Sequence, residues 1–249
     1  MTVKHKFDSD YFSQGPYAGV LRSGFRKYLG KFYWARRFYA RQVKKMTPAG
    51  SKILEIGCGY GDLLHFLEDD YQTYGTDISA PAIKTAKQRL HKTNLTVLAA
   101  EKTMILPEKF RTIIAAHVLE HLDDPDEVLR QISIVLVKGG NFLMIVPNSD
   151  SWGHRIKGTK WIGYKDKTHI SLFSPQQWRL LLDKNGFKIK SLFGDGLWDS
   201  PYLPFIPVIL QKIIFSLPAI LQTLSGVPFI PVKWGESVVF LARKEKNLF

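Results

Sequence analysis

The fold is decided by the stretch Ile53-Leu54-Glu55-Ile56-Gly57-Cys58-Gly59-Tyr60-Gly61-Asp62. It predicts a buried strand over residues 52–57, a turn of alternating glycines, and a helix over residues 61–69. Glycines allow the tight turn and let a ligand lie directly against bare backbone. We therefore expect a small-molecule site at the end of this strand. Its candidate residues here are Glu55, Gly57, Cys58, Gly59 and Gly61.

The charge of the glycine turn disfavours a phosphate ligand. Dinucleotide-binding turns follow G-x-G-x-x-G or G-x-G-x-x-A, whereas here Gly57 and Gly59 are followed by Asp62 at the third position. A carboxylate at that position repels a pyrophosphate, and together with Glu55 it attracts a cation. The sequence therefore predicts a positively charged ligand without phosphates.

A further carboxylate ends the second predicted strand, in Tyr74-Gly75-Thr76-Asp77-Ile78. Asp77 lies about twenty residues after the glycine turn, where a carboxylate accepts hydrogen bonds from both ribose hydroxyls. Because Ser79 and Pro81 follow, capping of the next helix is an alternative role for Asp77. Its occurrence with the glycine turn favours the ribose role, and Ile78 is assigned to the same site.

From about residue 51 the chain alternates short apolar runs with helical patterns, which is typical of a doubly wound α/β fold with a mostly parallel sheet. Further strands are predicted at residues 73–76, 95–99, 112–116, 141–146, 187–193 and 237–242. Further helices are predicted from Ser79, over residues 125–137 with Gly139-Gly140 ending the helix, and from Ser174-Pro175 to Asn185-Gly186.

The first fifty residues form a basic and aromatic segment, within a chain of net charge +13. Residues 11–54 contain no Asp or Glu but ten Lys and Arg. Apolar residues recur there at spacings of three and four, which gathers them on one helical face. We expect residues 1–50 to form a helical arm that acts as a lid, with a nucleic-acid groove or a lipid-bound helix as alternatives. The face comprises Leu21, Phe25, Tyr28, Phe32, Ala35, Tyr39 and Val43.

An apolar insert occupies residues 203–232, where Lys212 is the only charged residue. Its length approaches the roughly 20 residues of a membrane span. Its five prolines interrupt helical hydrogen bonding, and a full crossing would separate the last strand from its sheet. We expect two short helices or a re-entrant hairpin. Together with the basic arm it predicts peripheral binding to an anionic membrane surface.

The remaining composition favours a cytoplasmic protein. Cys58 is the lone cysteine, so no intrachain disulfide forms, and no Cys/His tract has the spacing of a zinc site. The charged residues 1–10 lack the apolar run of a signal peptide.

With these motifs in place, residues 51–193 resemble the class I S-adenosylmethionine-dependent methyltransferases, in particular the small-molecule branch that includes quinone-biosynthesis enzymes. The resemblance implies a seven-stranded sheet whose last strand, here residues 235–243, is antiparallel. It implies S-adenosylmethionine as cofactor, with residues 55–61 as the first motif and Asp77 on the ribose. Glu101 matches an acidic residue near the adenine, and His117 belongs to the matching segment after strand four.

The segment His117-Val118-Leu119-Glu120-His121 also spells the inverted zinc-peptidase motif H-x-x-E-H. His117 closes a buried strand rather than lying in a long helix, and Asp123-Asp124-Pro125 interrupts any helix beyond it, so this interpretation is disfavoured. Quinone O-methyltransferases are similar here with E-x-x-E-H and a divalent metal. Because His117 replaces the first Glu, we predict no metal site.

Two histidines are candidate catalytic residues. The resemblance places His169 on the substrate side, where its imidazole suits deprotonation of a hydroxyl, or where it simply bonds a loop carbonyl. His121 is the second candidate. The leading hypothesis is O-methylation of a small or lipid-linked metabolite, such as a quinone precursor or glycan.

Two other functions remain as alternatives. Charge alone leaves an RNA methyltransferase open, but the chain lacks the N/D-P-P-Y/F motif of exocyclic-amine methylation after strand four. The other alternative is a cofactor-binding adaptor without catalysis.

Overall fold

The computed structural model describes residues 31–245, with side chains from Trp34 onward. The predicted arm positions Leu21, Phe25 and Tyr28 lie outside the described residues, as does the side chain of Phe32. The strands of the described part are β1 Lys52–Ile56, β2 Gln72–Asp77, β3 Asn94–Val97, β4 Phe110–Ala116, β5 Leu136–Pro147, β6 Phe187–Gly194 and β7 Ser237–Lys244. Its α-helices are α1 Lys31–Met46, α2 Ala80–Arg89, α3 Pro125–Val135, α4 Trp152–Lys157, α5 Ile162–Lys165, α6 Pro175–Lys184 and α7 Val208–Ser225.

The strands form one seven-stranded sheet in the order β3-β2-β1-β4-β5-β7-β6. β7 runs antiparallel to both of its neighbours, and the other pairs are parallel. This confirms the predicted α/β fold with a mostly parallel sheet and an antiparallel last strand. The strand order changes direction at β1, so the carboxyl ends of β1 and β4 flank a crevice where such folds bind ligands.

Helices cover both faces of the sheet, which explains the continuous apolar runs of its central strands. On one face, Tyr39 and Val43 of α1 pack in a buried cluster with Ile114 of β4. On the other face, the adjacent Ile113 packs with Leu129 of α3 and Trp178 of α6. Successive residues of one strand therefore serve opposite layers, as the strand period of two requires.

Two predicted helix boundaries are wrong. Instead of the helix expected over residues 61–69, the structure has turns around a short 3-10 helix, Leu64–Phe66. The positive φ of Gly61, 75°, lies outside the right-handed helical region and prevents a helix from starting there. The helix expected to reach residue 137 ends at Val135, and β5 begins at once with the buried, extended Leu136. Leu136 pairs with Phe110 of β4, so Gly139-Gly140 lies inside the strand.

The apolar insert also differs from the expected pair of short helices. A single 18-residue helix, α7, contains Pro218, while the other prolines of the insert lie outside it. Pro207 occupies the N-cap position, and Gly226 ends the helix with a φ of 69°. By length and composition alone, α7 is long and apolar enough to cross a membrane.

Helix α7 is attached to the domain through polar side chains. Gln211 binds the backbone of residues 202–206, and Gln222 binds Gly194 and accepts from the Phe229 and Ile230 amides. Arg41 of α1 donates to the last carbonyls of α7, where a cation also opposes the helix dipole. The buried residues of α7 are thus polar, and most of its Ile and Leu side chains face outward.

Candidate functional site

A cavity opens at the carboxyl ends of β1, β2 and β4, where the glycine turn lies. Its lining residues come from five parts of the chain: α1, the end of β1 with the turn after it, the end of β2, the segment after β3, and the segment after β4. They are Arg36, Glu55, Gly57, Cys58, Gly59, Tyr60, Asp62, Leu63, Asp77, Ile78, Leu98, Ala100, Glu101, His117, Val118, His121 and Leu122.

The glycine turn is held in shape by Asp77. Gly57 and Gly59 have positive φ values of 67° and 52°, which favour glycine. A Cβ atom on Gly57 would lie 2.3 Å from Val118 Cγ2, so the backbone there must stay bare. The Gly59 amide donates to Asp77 Oδ2 at 2.8 Å, which ties the turn to the end of β2.

The capping alternative for Asp77 is weakened by the structure. The N-cap of α2 is Ser79, whose hydroxyl accepts from the Ala82 amide at 3.3 Å. Asp77 instead accepts from the Ser79 amide at 2.8 Å and lines the cavity. Burial raises the pKa of Asp77, while the hydrogen bonds from Ser79 and Gly59 act in the opposite direction.

Glu55 presents a buried carboxyl group to the same cavity. Its Oε2 atom has no hydrogen-bond partner. Burial raises the pKa of Glu55 to about 8, and the nearby Arg36 only partly offsets this effect. An orphaned buried oxygen of this kind fits a ligand that brings a hydrogen-bond donor or a positive charge.

The charge of the lining fits a cationic nucleoside better than a phosphate. Four carboxyl groups, of Glu55, Asp62, Asp77 and Glu101, line the cavity with one guanidinium, that of Arg36. Asp62 is already paired with Arg89 at 2.5 Å. The remaining carboxyl groups would repel a diphosphate and attract an ammonium or a sulfonium.

Most of the residues predicted for cofactor binding are brought together in this cavity. Gly61 is the exception: it lies outside the lining, and a Cβ there would meet Leu90 Cδ1 at 2.4 Å, so it serves helix packing. Sequence reasoning did not assign Arg36 to the site. The pattern of basic residues predicted a helical arm that includes Arg36. No local feature indicated which of the ten Lys and Arg residues in positions 11–54 would line the cavity.

Only one of the two candidate catalytic histidines faces the cavity. His121 lines the cavity, whereas His169 does not. The Nδ1 atom of His169 donates to the Gly163 carbonyl at 2.6 Å, which is the loop contact considered as its alternative role. Ligand atoms of Glu120, His121 and His169 lie within 4.8 Å of one another. Three protein ligands are fewer than a closed structural zinc site uses but are the usual number in a catalytic one, so the absence of a metal site stays a prediction.

A second chamber of about 530 Å³ lies between α1 and α7. It shares Arg36 and His117 with the first cavity, so the two spaces are adjacent. Its remaining lining residues are Trp34, Ala35, Phe38, Tyr39, Asp195, Trp198, Ser216, Ala219, Ile220, Gln222, Thr223 and Leu224.

Residues 31–192 match a family described as a methyltransferase domain. The ubiquinone biosynthesis O-methyltransferase of Bartonella bacilliformis is 28% identical over 168 residues, which cover 63% of this chain and 68% of that protein. A polyketide synthase-nonribosomal peptide synthetase of Aspergillus clavatus is 32% identical over 190 residues, 64% of this chain and 5% of that protein. This chain spans about half the length of several other curated relatives.

The fold is shared with solved methyltransferases. The S-adenosylmethionine-dependent methyltransferase of Thermotoga maritima superposes with a TM-score of 0.59 at 22% identity, covering 87% of this chain and 90% of that one. The match to the methyltransferase-domain family, together with the carboxyl-rich lining of the cavity, gives S-adenosylmethionine as the cofactor of this chain.

Replacing Asp77 tests the ribose role. Asp77→Ala is expected to weaken S-adenosylmethionine binding by about 1 to 3 kcal/mol, because charged hydrogen bonds to the ribose and to the Gly59 amide are lost. Titration calorimetry measures the change. Asp69→Ala, which removes an exposed carboxylate paired with Lys92, is the control and should bind normally. Unchanged affinity in Asp77→Ala would refute the ribose assignment.

The raised pKa of Glu55 predicts a pH-dependent stability. The pKa of Glu55 is raised from its ordinary value of 4.5 to about 8. Between these two pH values the Glu55 carboxyl group is ionised in the unfolded chain but still protonated in the folded one. The free energy of unfolding therefore falls as the pH rises through this window. Ligand-free urea titrations should show a steeper fall for wild type than for Glu55→Gln, which does not titrate. Parallel curves for the two proteins would contradict the assignment.

Proposed function

The chain belongs to the methyltransferase-domain family of S-adenosylmethionine-dependent enzymes, and we propose that it O-methylates a hydroxyl or carboxylate on a small or lipid-linked metabolite at a membrane surface. The observation that carries this proposal is the chamber between α1 and α7, which adjoins the cofactor cavity at Arg36 and His117. A methyl acceptor must approach the sulfonium in line, so its binding space has to begin beside the cofactor.

S-adenosylmethionine supplies a methyl group on a positively charged sulfur. In the proposed arrangement Asp77 binds the ribose, Glu55 and the bare backbone of Gly57 and Gly59 hold the charged end, and Glu101 lies near the adenine. Helix α1 acts as a lid, and its Arg36 lines both spaces. By excluding water, the lid would strengthen the electrostatic interactions inside the site.

The chamber is suited to an amphiphilic acceptor. Its walls include Trp34, Phe38, Ile220 and Leu224, which offer apolar contact surface. Charged or polar groups, those of Arg36, His117 and Asp195, also line it and would orient a reacting head group. The similarity to a ubiquinone biosynthesis O-methyltransferase is consistent with a small aromatic or lipid-linked acceptor.

The surface of α7 supports the membrane part of the proposal. Ile209 and Ile213 are 72% and 64% exposed, and residues 200–235 contain no Asp or Glu. Trp152 and Trp234 are both exposed with ring centroids 6.3 Å apart, and tryptophan favours membrane interfaces. Because Gln211 and Gln222 tie α7 to the domain, the helix would lie on the bilayer rather than cross it. A cytoplasmic, peripheral protein is the corresponding localisation.

Methyl transfer tests the chamber. Wild type should transfer labelled methyl groups to long-chain phenols, hydroxylated lipids or lipid-linked sugars, and Ser216→Trp should raise the acceptor KM about tenfold by filling the chamber. Leu221→Trp, on the same helix but outside the chamber lining, is the control. No turnover with any acceptor would favour the non-catalytic adaptor, and turnover only with RNA would favour the RNA methyltransferase.

Vesicle binding tests the membrane surface. The protein should co-sediment with phosphatidylserine vesicles more than with phosphatidylcholine vesicles, since each Lys or Arg near anionic lipid contributes about 1 kcal/mol. Ile209→Glu with Ile213→Glu should weaken binding about tenfold or more, because two apolar contacts become charged. Leu180→Glu alters a side chain that is 61% exposed on α6 and should bind like wild type. Equal recovery of all three proteins with vesicles would contradict membrane docking through α7.

A further inference from the structure

His117 has an unusual backbone conformation. Within residues 31–245 it is the only non-glycine residue with a positive φ, 60°. Its amide donates to the Ile145 carbonyl at 2.9 Å, which holds the backbone just after β4 against the neighbouring strand β5. Residues held in such sparsely populated regions cost free energy and concentrate at functional sites. The strained backbone therefore marks His117 as a candidate functional residue.

Glu120 orients the His117 ring. Its carboxyl group is fully buried, and its Oε1 atom lies 3.1 Å from His117 Nδ1. Burial alone would raise the pKa of Glu120, but the hydrogen bond from His117 and the charges of neighbouring histidines leave it lowered. An ionised carboxylate only accepts, so Nδ1 carries the proton and donates. Nε2 is then the ring nitrogen that faces away from Glu120 and can accept a proton.

His117 also occupies the position that a base requires. Its side chain is a quarter exposed and lines both the cofactor cavity and the acceptor chamber. His121 lines the cofactor cavity alone, with Nδ1 against Thr168, and His169 lines neither space. Of the three histidines, only His117 borders the place where acceptor and methyl group must meet.

The geometry points to His117 as the general base of methyl transfer, with Glu120 as its positioning residue; this inference rests on the proposed function. As the acceptor oxygen forms its bond to the methyl carbon, the bond from that carbon to the sulfonium breaks and its electron pair stays on sulfur. The hydroxyl proton moves to His117 Nε2. The resulting imidazolium is stabilised by the Glu120 carboxylate beside it, as in other carboxylate–histidine pairs.

The test uses His117→Asn and acceptors of graded acidity. Asparagine tolerates a positive φ and retains a donor for Glu120, but it has no basic nitrogen. With a long-chain alkylphenol, kcat/KM should fall about 100-fold, the usual contribution of a general base. The loss should shrink for the nitro derivative of that phenol and nearly vanish for a fatty acid, whose carboxylate is already ionised at the assay pH. Because His117 also lines the cofactor cavity, S-adenosylmethionine affinity is measured by calorimetry in parallel, and kcat/KM for each acceptor is compared at saturating S-adenosylmethionine.

Two further variants separate the roles. Glu120→Gln should lose kcat mainly with the weakly acidic phenol, since a misoriented base matters only when a proton must move. His169→Asn tests the other candidate base. His65→Asn is the control and should lose little with any acceptor, because its side chain is 56% exposed and lines neither space. Equal losses across all acceptors in His117→Asn, or an acidity-dependent loss in His169→Asn, would overturn the inference while leaving the proposed function intact. Absence of wild-type turnover with every acceptor would overturn both.

Discussion

The hydrogen bond from the Gly59 amide to Asp77 is the constraint on which the site depends. It joins the turn after β1 to the end of β2, and it fixes a glycine backbone whose φ values only glycine readily adopts. Around this tie the chain places a buried Glu55 oxygen without a partner and a bare backbone surface. These features give a cavity for a ligand that is cationic and lacks phosphates, which is the chemistry of S-adenosylmethionine.

The acceptor side is built from parts far apart in the chain. Helix α1 precedes the sheet and α7 precedes its last strand, yet Arg41, Gln42 and Lys45 donate to carbonyls at the end of α7. These hydrogen bonds hold together the two helices that line the chamber, with the apolar face of α7 outward. Under the proposed function, acceptor binding and surface attachment would both depend on this pair of helices. The inward-facing glutamines attach an otherwise apolar helix to the domain.

The sequence predicted what is local and periodic. The apolar runs indicated the central strands, and the Ser174-Pro175 pair indicated a helix start that the structure closes with a capping box. The glycine turn indicated a cavity at the carboxyl ends of β1, β2 and β4. It did not predict that Pro218 would remain inside one helix, since long-range hydrogen bonds from α1 and the glutamines hold α7 together. Nor did spacing reveal that His117 reaches both spaces and is oriented by Glu120, because that depends on its positive φ.

We expect the glycine-lined cavity to bind a cationic nucleoside without phosphates. The most direct measurement is calorimetric titration of the purified protein, in parallel, with S-adenosylmethionine, S-adenosylhomocysteine, NAD and ADP. Saturable one-to-one binding of the first two compounds, with no binding of NAD or ADP, is the predicted result. Binding of NAD or ADP in place of S-adenosylmethionine would show that the cavity is a nucleotide site and does not select a cation.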